Sequence, residues 1–313
     1  MTMPTFAVEV EDLVKTFGDF CAVDHIHFQV KKGEIFGFLG PNGAGKSTTI
    51  RMLCGLLMPT SGKGKVAGFD IMKEPEKIKQ GIGYMSQKFS LYEDLTVMEN
   101  LHFFGGIYGL SGTLQKEREE QVLEVAELKE FRDRMTQTLA VGWKQRLALG
   151  CSILHEPTIL FLDEPTSGVD PISRRNFWDL IQQMGEKGVT TFVTTHYMDE
   201  AEYCDRLALI YQGRIIALGT PSELKLKTIA QGVLEVECDP LLSALDLLKK
   251  EPWVSESAVF GDSLHVIGKE GVDPEQEVTL LFQKHGIRPK RLERIRPSLE
   301  DVFVSLIAKE GRG

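Results

Sequence analysis

Short apolar runs alternate with stretches of helical periodicity over roughly the first 220 residues of the chain. Continuous apolar runs are typical of strands buried on both faces, whereas apolar residues three and four positions apart indicate helices. We predict strands over residues 34–39, 158–162, 190–194 and 206–211, and helices over residues 47–57, 174–186 and 198–203. This alternation predicts an α/β fold whose parallel sheet is covered on both faces.

Residues 95–134 interrupt this alternation. They are rich in Glu, Leu and Lys and poor in β-branched residues, and such a composition favours helix over strand. We therefore expect a mostly helical subdomain, at about residues 90–155, inserted into the α/β unit.

A second domain is predicted after the turn signal Gly219-Thr220-Pro221-Ser222. Beyond it we predict strands over residues 233–238, 254–260, 263–267 and 291–295, and helices over residues 241–250 and 274–285. The order β-α-β-β-α-β is that of the split, ferredoxin-like arrangement. A last helix is expected to begin near Ser298, with a cap formed between Ser298 and Asp301. We expect one domain of residues 1–225 and a small α+β domain of residues 226–313.

The composition is that of a folded globular protein, with 313 residues of which 42% are hydrophobic and 26% are charged. Disordered and collagen-like chains are therefore excluded. The 45 acidic and 36 basic residues give a formal net charge of −9, which argues against a nucleic-acid-binding protein. No run reaches the roughly 18 apolar residues that span a bilayer, and the first residues are acidic, unlike those of a secretory signal. We expect a cytosolic protein, unless another chain holds it at a membrane.

Five cysteines are scattered along the chain, and no two have the C-x-x-C spacing. An odd number without paired spacing argues against both a disulfide framework and a zinc site. Reduced thiols that serve as packing residues fit this pattern better.

A glycine-rich segment lies between the first predicted strand and the first predicted helix. It reads Gly40-Pro41-Asn42-Gly43-Ala44-Gly45-Lys46-Ser47, followed by Thr48, and fits the pattern G-x-x-x-x-G-K-[ST] in full. In this pattern successive backbone N–H groups surround a polyphosphate at a helix N-terminus. We expect Lys46 to bind the β- and γ-phosphates, Ser47 to bind Mg²⁺, and Thr48 to donate to the α-phosphate.

Two acids follow the apolar run at residues 158–162. Asp163 and Glu164 come at the carboxyl end of this predicted strand, where α/β sheets bind their ligands. We expect Asp163 to hold Mg²⁺ through water and Glu164 to orient and deprotonate an attacking water. A merely solvated strand end is the alternative, and it is weakened by the segment Pro165-Thr166-Ser167-Gly168-Val169-Asp170 that comes next.

Taken together, these motifs over about residues 5–225 resemble the nucleotide-binding subunits of ATP-binding cassette (ABC) transporters. The resemblance implies an ATPase of P-loop fold with ATP and Mg²⁺ as its ligands. It implies that Phe17 stacks on adenine, that Gln87 touches Mg²⁺ and links the site to a membrane partner, and that His196 contacts the γ-phosphate. It also implies that Asp170 communicates across a cassette dimer. The alternatives are a core position for Phe17 and an ordinary surface position for Gln87.

The segment that matches the family signature departs from it. Where the family has Leu-Ser-Gly-Gly-Gln, this chain reads Leu139-Ala140-Val141-Gly142-Trp143. In the family this segment of one cassette closes over the γ-phosphate bound by the other. Ala140 lacks the hydroxyl donor, and Val141 resists a positive φ if the glycine conformation is needed. The resemblance therefore leaves open a slower homodimer, a pairing with a second and different cassette, and, less favoured, an inactive pseudo-ATPase.

The tail narrows the choice of subfamily. Residues 296–303 read Arg296-Pro297-Ser298-Leu299-Glu300-Asp301-Val302-Phe303 and resemble the ending of cassette subunits from prokaryotic drug exporters. Those subunits act with a separate permease, so we expect the chain to lie at the cytoplasmic face of the membrane. The segment 88–96 and the helical insertion would pass motion to the permease. The plainer interpretation of the tail is a C-terminal helix with an apolar stripe, and the basic run at residues 290–296 is interpreted as a solvated edge.

Two rival function classes remain at this stage. One is a soluble ABC ATPase that acts on ribosomes or DNA, although neither a second cassette nor a zinc module is visible in the sequence. The other is an ATP-sensing regulatory cassette with weak hydrolysis. No nucleic-acid partner is expected, and the transported substrate is not specified by this chain.

Overall fold

The computed structural model describes residues 6–87, 91–229 and 231–310. The chain divides into two compact units, Met1–Gly219 and Thr220–Gly313. The division falls at the turn signal that begins with Gly219, somewhat before residue 225. Among the described residues, no helix has the length and apolarity needed to cross a bilayer.

The first unit contains strands and helices in alternation. Its strands are β1 (Phe6–Phe17), β2 (Phe20–Lys31), β3 (Ile35–Leu39), β4 (Ser61–Val66), β5 (Phe69–Asp70), β6 (Ile82–Met85), β7 (Ile159–Asp163), β8 (Thr190–Thr195), β9 (Arg206–Tyr211) and β10 (Arg214–Gly219). Its helices are α1 (Lys46–Leu53), α2 (Pro75–Gly81), α3 (Val97–Ile107), α4 (Gly112–Val125), α5 (Val141–Ile153) and α6 (Pro171–Glu186).

A six-stranded sheet with the order β10-β9-β3-β8-β7-β6 forms the centre of this unit. Neighbouring strands are parallel except for β10, which pairs antiparallel with β9. The predicted parallel sheet and α/β fold are therefore confirmed. The carboxyl ends of β3, β7 and β8 lie side by side at one edge, where this class of sheet places its ligands.

A second sheet, with the order β2-β1-β4-β5, was not predicted from the sequence. Its longest strand, β1, carries register shifts against β2, and Asp12 within it has a φ of 53°. Such bulges break the period-two alternation by which a strand is detected. Phe28 of β2 stacks on Phe36 of β3, with ring centroids 5.6 Å apart, and so joins this sheet to the central one.

Helices α3, α4 and α5 form the inserted subdomain, in agreement with the helical composition of residues 95–134. Thr96 and Glu99 form a capping box at the start of α3, and fully buried leucines, among them Leu101, Leu123 and Leu147, form its core. The predicted helix at residues 198–203 is wrong, because only a single 3₁₀ turn forms at Glu200–Tyr203. The buried Glu200 side chain engages neighbouring loops there, and the segment is too short for a stable α-helix.

The second unit begins with α7 (Pro221–Thr228) and continues as β11 (Val233–Cys238), α8 (Leu241–Leu248), β12 (Val254–Phe260), β13 (Ser263–Gly268), α9 (Pro274–His285), β14 (Pro289–Ile295) and α10 (Leu299–Glu310). Its strand order is β12-β13-β11-β14, and each neighbouring pair is antiparallel. This is the order of the split βαβ arrangement.

Helix α10 begins at the cap expected from the sequence. The Ser298 N–H and hydroxyl donate to Asp301 Oδ2 at 2.7 and 2.6 Å, and the Asp301 N–H donates back to Ser298 Oγ at 3.1 Å. The other carboxylate oxygen of Asp301 lies 2.6 Å from Nδ1 of the buried His265 in β13. Asp301 therefore ties the start of α10 to the sheet.

The basic run at residues 290–296 lies on and just after β14. Arg291 pairs with Glu237 and Glu293, and Arg294 pairs with Asp273 at 2.5 Å and with Glu275 at 3.4 Å. These exposed pairs agree with a solvated edge.

Candidate functional site

The glycine-rich loop joins β3 to α1 and is held by close backbone contacts. The Gly40 N–H donates to the Thr195 carbonyl at 3.3 Å. A Cβ at Gly40 would lie 2.2 Å from the Ile210 carbonyl oxygen, and one at Gly45 would lie 2.5 Å from that of Ala22. Gly45 also has a φ of 108°, so only glycine fits at these two positions. The loop therefore leads into the N-terminus of α1 as a polyphosphate-binding loop does.

Lys46 is the first residue of α1, and its ammonium group is almost completely buried. Nζ donates to the carbonyls of Gly40 and Pro41 at 2.8 and 3.1 Å. It also lies 3.1 Å from Glu164 Oε1. The ammonium group is thus held inside the curve of the loop. A phosphate bound in this loop would contact the ammonium group directly.

Asp163, at the end of β7, shares one carboxylate oxygen between two hydroxyls. Ser47 Oγ donates to Asp163 Oδ1 at 3.0 Å, and Thr194 Oγ1 donates to the same oxygen at 2.6 Å. Burial raises the pKa of Asp163 above its usual range, against the lowering effect of these two hydrogen bonds. A hydroxyl beside a carboxylate is the oxygen donor set that Mg²⁺ prefers, so these residues fit that ion.

Glu164 is the point at which the predicted catalytic side chains meet. Its Oε2 accepts a hydrogen bond from Gln87 Nε2 at 3.0 Å and lies 3.3 Å from His196 Nδ1. With Lys46 on its other oxygen, this buried carboxylate contacts the three other side chains that were predicted to take part in catalysis. Its backbone has a φ of 49°, which non-glycine residues adopt mainly where the surroundings impose it.

Thr194 fixes this backbone and was assigned no role from the sequence. Its carbonyl and its hydroxyl both accept from the Glu164 N–H, at 3.1 and 3.0 Å. It thus holds Asp163 and Glu164 at once. Its position two residues before His196 was the available signal, since β8 ends beside β7.

Phe17 and Gln87 are both accessible. Phe17 ends β1 with 51% of its surface exposed, which excludes the core interpretation and leaves its ring available for stacking. Gln87 is exposed but directs its amide to Glu164. The coupling segment 88–96 begins with residues 88–90, which lie outside the described residues.

The degenerate signature forms the start of α5. Ala140 is its N-cap, with extended backbone and no side-chain capping bond, and Leu139 is buried. Val141 is the first helical residue and is 43% exposed. It is not among the described residues with positive φ, so the glycine conformation is not needed at this position.

Trp143 and Gly142 of this segment have local packing roles. The Trp143 ring lies 4.4 Å from that of Phe131, and the Arg146 guanidinium carbon lies 5.3 Å from the Trp143 ring centroid. A Cβ at Gly142 would lie 2.9 Å from Ser173 Cβ. Trp143 thus packs within the helical subdomain, in the position where the family has glutamine.

Asp170 caps α6. Its Oδ1 accepts from the N–H groups of Ile172 and Ser173 at 3.1 and 3.0 Å, and the hydrogen bonds from Ser173 lower the pKa of its carboxyl. A single cavity is lined by Ala140, Val141 and Gly142 of α5 together with Asp170 and Ser173. The N-termini of the two helices therefore open onto one surface, and the role of Asp170 across a dimer stays a prediction.

Comparison with known proteins gives consistent results. Residues 23–167 match the ABC transporter family. The chain is 38% identical to the linearmycin resistance ATP-binding protein LnrL of Bacillus subtilis over 307 residues, which are 96% of this chain and 98% of LnrL. It is 42% identical to the daunorubicin/doxorubicin resistance ATP-binding protein DrrA of Streptomyces peucetius over 314 residues, covering 97% and 93% of the two chains.

A third relative is longer than this chain. The probable multidrug ABC transporter ATP-binding protein YbhF of Escherichia coli is 55% identical over 249 residues, which are 80% of this chain and 42% of YbhF. The match thus spans about two fifths of the length of that relative.

Solved structures give the same fold. The ADP-bound cassette MJ1267 has a TM-score of 0.64 and 29% identity, covering 72% of this chain and 94% of that one. A dimeric post-hydrolysis cassette, MJ0796 bound to ADP and phosphate, has a TM-score of 0.62 and 25% identity, covering 68% and 98%.

Proposed function

The chain belongs to the ATP-binding proteins of ABC transporters, and from this premise we propose that it binds and hydrolyses ATP to power export through a separate membrane permease. One observation carries the proposal. Lys46, Gln87 and His196 all lie within 3.3 Å of the Glu164 carboxylate, directly beside the paired Ser47 and Asp163. A binding module without catalysis has no need for this convergence.

Different residues of the site bind the phosphates, the adenine and Mg²⁺. The loop at residues 40–45 and the N-terminus of α1 bind the phosphates, Lys46 neutralises charge between the β- and γ-phosphates, and Phe17 stacks on the adenine. Ser47, Asp163 and Gln87 would hold Mg²⁺, which when bound neutralises charge on the β- and γ-phosphate oxygens.

Glu164 is the proposed general base. Its carboxylate orients a water in line with the γ-phosphate and takes the proton as the water oxygen bonds to phosphorus. The bond between the γ-phosphorus and the bridging oxygen then breaks, and ADP and phosphate are released. His196 contacts the γ-phosphate and keeps Glu164 in place.

Two kinds of partner follow from this function. The relatives are named as ATP-binding components of resistance and multidrug systems, which supports a permease that carries the transported molecule. We propose that the chain is held by that permease at the cytoplasmic face of the membrane. A second cassette supplies the signature that closes over the bound ATP, and a dimeric cassette among the solved relatives supports this pairing.

Two pairings are compatible with Ala140. In a homodimer, both sites would be closed by a signature without the serine hydroxyl, and turnover would be slow. In an asymmetric pair, this chain's own ATP would be closed by an intact signature of the partner. Turnover of the Ala140→Ser variant described below distinguishes the two pairings.

Reconstitution with the permease tests the proposed function. The full chain is co-expressed with the membrane permease that co-purifies with it, the complex is placed in lipid vesicles, and phosphate release is measured with ATP and Mg²⁺. We expect release that requires Mg²⁺ and rises when transported compounds are added. ATP binding without release would favour a sensing cassette, and sedimentation with ribosomes rather than with the permease would favour the rival soluble ATPase.

A further inference from the structure

Two segments of the first unit carry Glu164 and His196, two of the side chains that meet at the proposed site. We call residues 164–170 the β7–α6 loop and residues 196–205 the β8–β9 segment. The first carries Glu164 and Asp170, and the second begins with His196. The strands β7 and β8 position only the first residues of these two segments. Contacts between the segments are needed to position the remaining residues relative to one another.

Arg174 of α6 touches both segments. Its Nη2 donates to the Val169 carbonyl of the β7–α6 loop at 3.4 Å. Its guanidinium carbon lies 4.0 Å from the centroid of the Tyr197 ring in the β8–β9 segment. With only 18% of its side chain exposed, the guanidinium is enclosed between them, and stacking of a desolvated cation on an aromatic face is favourable.

Glu200 of the β8–β9 segment contacts both Arg174 and the β7–α6 loop. It is fully buried, and its Oε1 accepts the hydroxyl hydrogen of Thr166 in the β7–α6 loop. The same oxygen lies 3.4 Å from Arg174 Nε. Burial raises the pKa of Glu200, and Thr166 and the charge of Arg174 oppose that rise. A buried pair of this kind is costly to break from one side only, because the remaining charge is left without a partner.

Tyr197 connects this ion pair to the reacting groups. Its ring centroid lies 4.1 Å from that of His196, and its N–H donates to Thr195 Oγ1 at 3.0 Å. His196 Nδ1 in turn lies 3.3 Å from Glu164 Oε2. A continuous series of contacts therefore runs from Arg174 through Tyr197 and His196 to the proposed base.

We propose that Arg174 and Glu200 are positioning residues for hydrolysis, which hold Tyr197 so that His196 stays beside Glu164. This inference rests on the proposed function, because it concerns the same site. Neither residue lies in the glycine-rich loop or the Asp163–Ser47 pair. Their loss is therefore expected to slow the chemical step while ATP binding is retained, since small misplacements of a catalytic group reduce rate strongly.

The test compares Arg174→Ala in two backgrounds, the wild-type chain and His196→Ala. Single-turnover phosphate release and the Kd of a fluorescent ATP analogue are measured for the full chain assembled with its permease in lipid vesicles. We expect Arg174→Ala to lower the rate by about tenfold or more in the wild-type background and to change the Kd by less than about threefold. In the His196→Ala background we expect no further loss, because the group that Arg174 positions is already absent.

Conservative variants and a neighbouring arginine serve as controls. Arg174→Lys keeps the charge but not the planar stack, and Glu200→Gln keeps an acceptor for Thr166, so both should fall between wild type and Arg174→Ala. Exposed Arg175 is the next residue of α6, and Arg175→Ala should match wild type. If Arg174→Ala does not fold, as judged by circular dichroism, Arg174→Lys is compared in the same two backgrounds.

Three results would overturn the proposal or its premise. Equal loss of rate in both backgrounds would show that Arg174 acts on overall stability and not through His196. A wild-type rate for Arg174→Ala would exclude any positioning role. Failure of the wild-type complex with the permease to release phosphate would contradict the proposed function, and this outcome is distinct from the first two.

Discussion

A missing hydroxyl at Ala140 separates this chain from the family signature, and the structure shows its effect on the start of α5. Ala140 occupies the N-cap of α5 with extended backbone, and no side chain caps the helix there. A serine in this conformation accepts a hydrogen bond from the first turn, whereas alanine leaves that N–H without a side-chain partner. In the dimer proposed above, the same hydroxyl would also donate to a phosphate bound by the second cassette.

Ala140→Ser is therefore predicted to act on stability and on turnover. We expect the free energy of unfolding of the first unit to rise by about 0.5–2 kcal/mol, measured by urea unfolding. We also expect turnover of the assembled complex to rise by about tenfold, because a hydrogen bond to a charged group contributes about 1.5–3 kcal/mol.

Ala140→Gly separates the two effects, since glycine is a fair N-cap but has no hydroxyl. It should change stability with little change in turnover. Unchanged turnover in Ala140→Ser would mean that the signature does not limit this protein and would favour an asymmetric pair whose active site is closed by the partner.

Site residues that belong to a contiguous sequence motif could be predicted. Residues that contact one another only through tertiary packing could not. Lys46, Ser47, Asp163 and Glu164 stand at fixed spacings beside a strand or helix end, and the structure places them together. Arg174 and Glu200 belong to no contiguous motif, and they meet only because α6 and the β8–β9 segment pack together. A single sequence carries no signal for that contact.

Helix α10 shows how one side chain fixes an element. Asp301 is 2% exposed, caps its own helix through Ser298, and accepts from His265 in β13. Burial alone would raise the pKa of Asp301, but the hydrogen bonds from His265 and Ser298 outweigh it, and the pKa is lowered. A carboxyl whose pKa is lower in the folded state stabilises the fold above its unfolded pKa, about 3.9, and this stabilisation is lost as the pH falls through the folded pKa.

Asp301→Asn is predicted to destabilise the second unit at pH 7 by about 1–3 kcal/mol, because it removes a charged acceptor from a buried hydrogen bond. The difference from wild type should shrink as the pH falls below about 4. Urea unfolding of the full chain, followed at several pH values, measures both quantities. Asp262→Asn, in an exposed turn, is the matched control. A constant difference across this pH range would contradict the assigned ionic role.

Helices and strands with a regular hydrophobic periodicity were predicted correctly from the sequence. The predictions were wrong where a capping side chain shifted a helix start or where bulges interrupted the alternation of a strand. Strand β9 begins and ends as predicted, and α9 matches its predicted range because Asp273 and Gly286 mark its ends. Helix α6 begins three residues before the predicted start, because Asp170 caps it. The antiparallel sheet of the first unit was missed because bulges in β1 obscure its alternation.

The whole molecule consists of two units with separate cores, and only the first carries the proposed nucleotide site. Fold class and family membership could be predicted because the ordered motifs of that unit are specific. The second unit could be predicted in its elements and in the cap of its last helix, but its residues offer no comparable chemical motif. Composition excluded classes of protein but did not supply the function.

The central claim is that this chain hydrolyses ATP with Glu164 as the base, and Glu164→Gln tests it most directly. Phosphate release and ATP affinity of the complex with the permease are measured beside Glu186→Gln, which changes an exposed glutamate at the end of α6. We predict that Glu164→Gln releases phosphate at least about a hundredfold more slowly, binds ATP with a Kd within about threefold of wild type, and accumulates as an ATP-bound dimer. Wild-type phosphate release by Glu164→Gln would contradict the account.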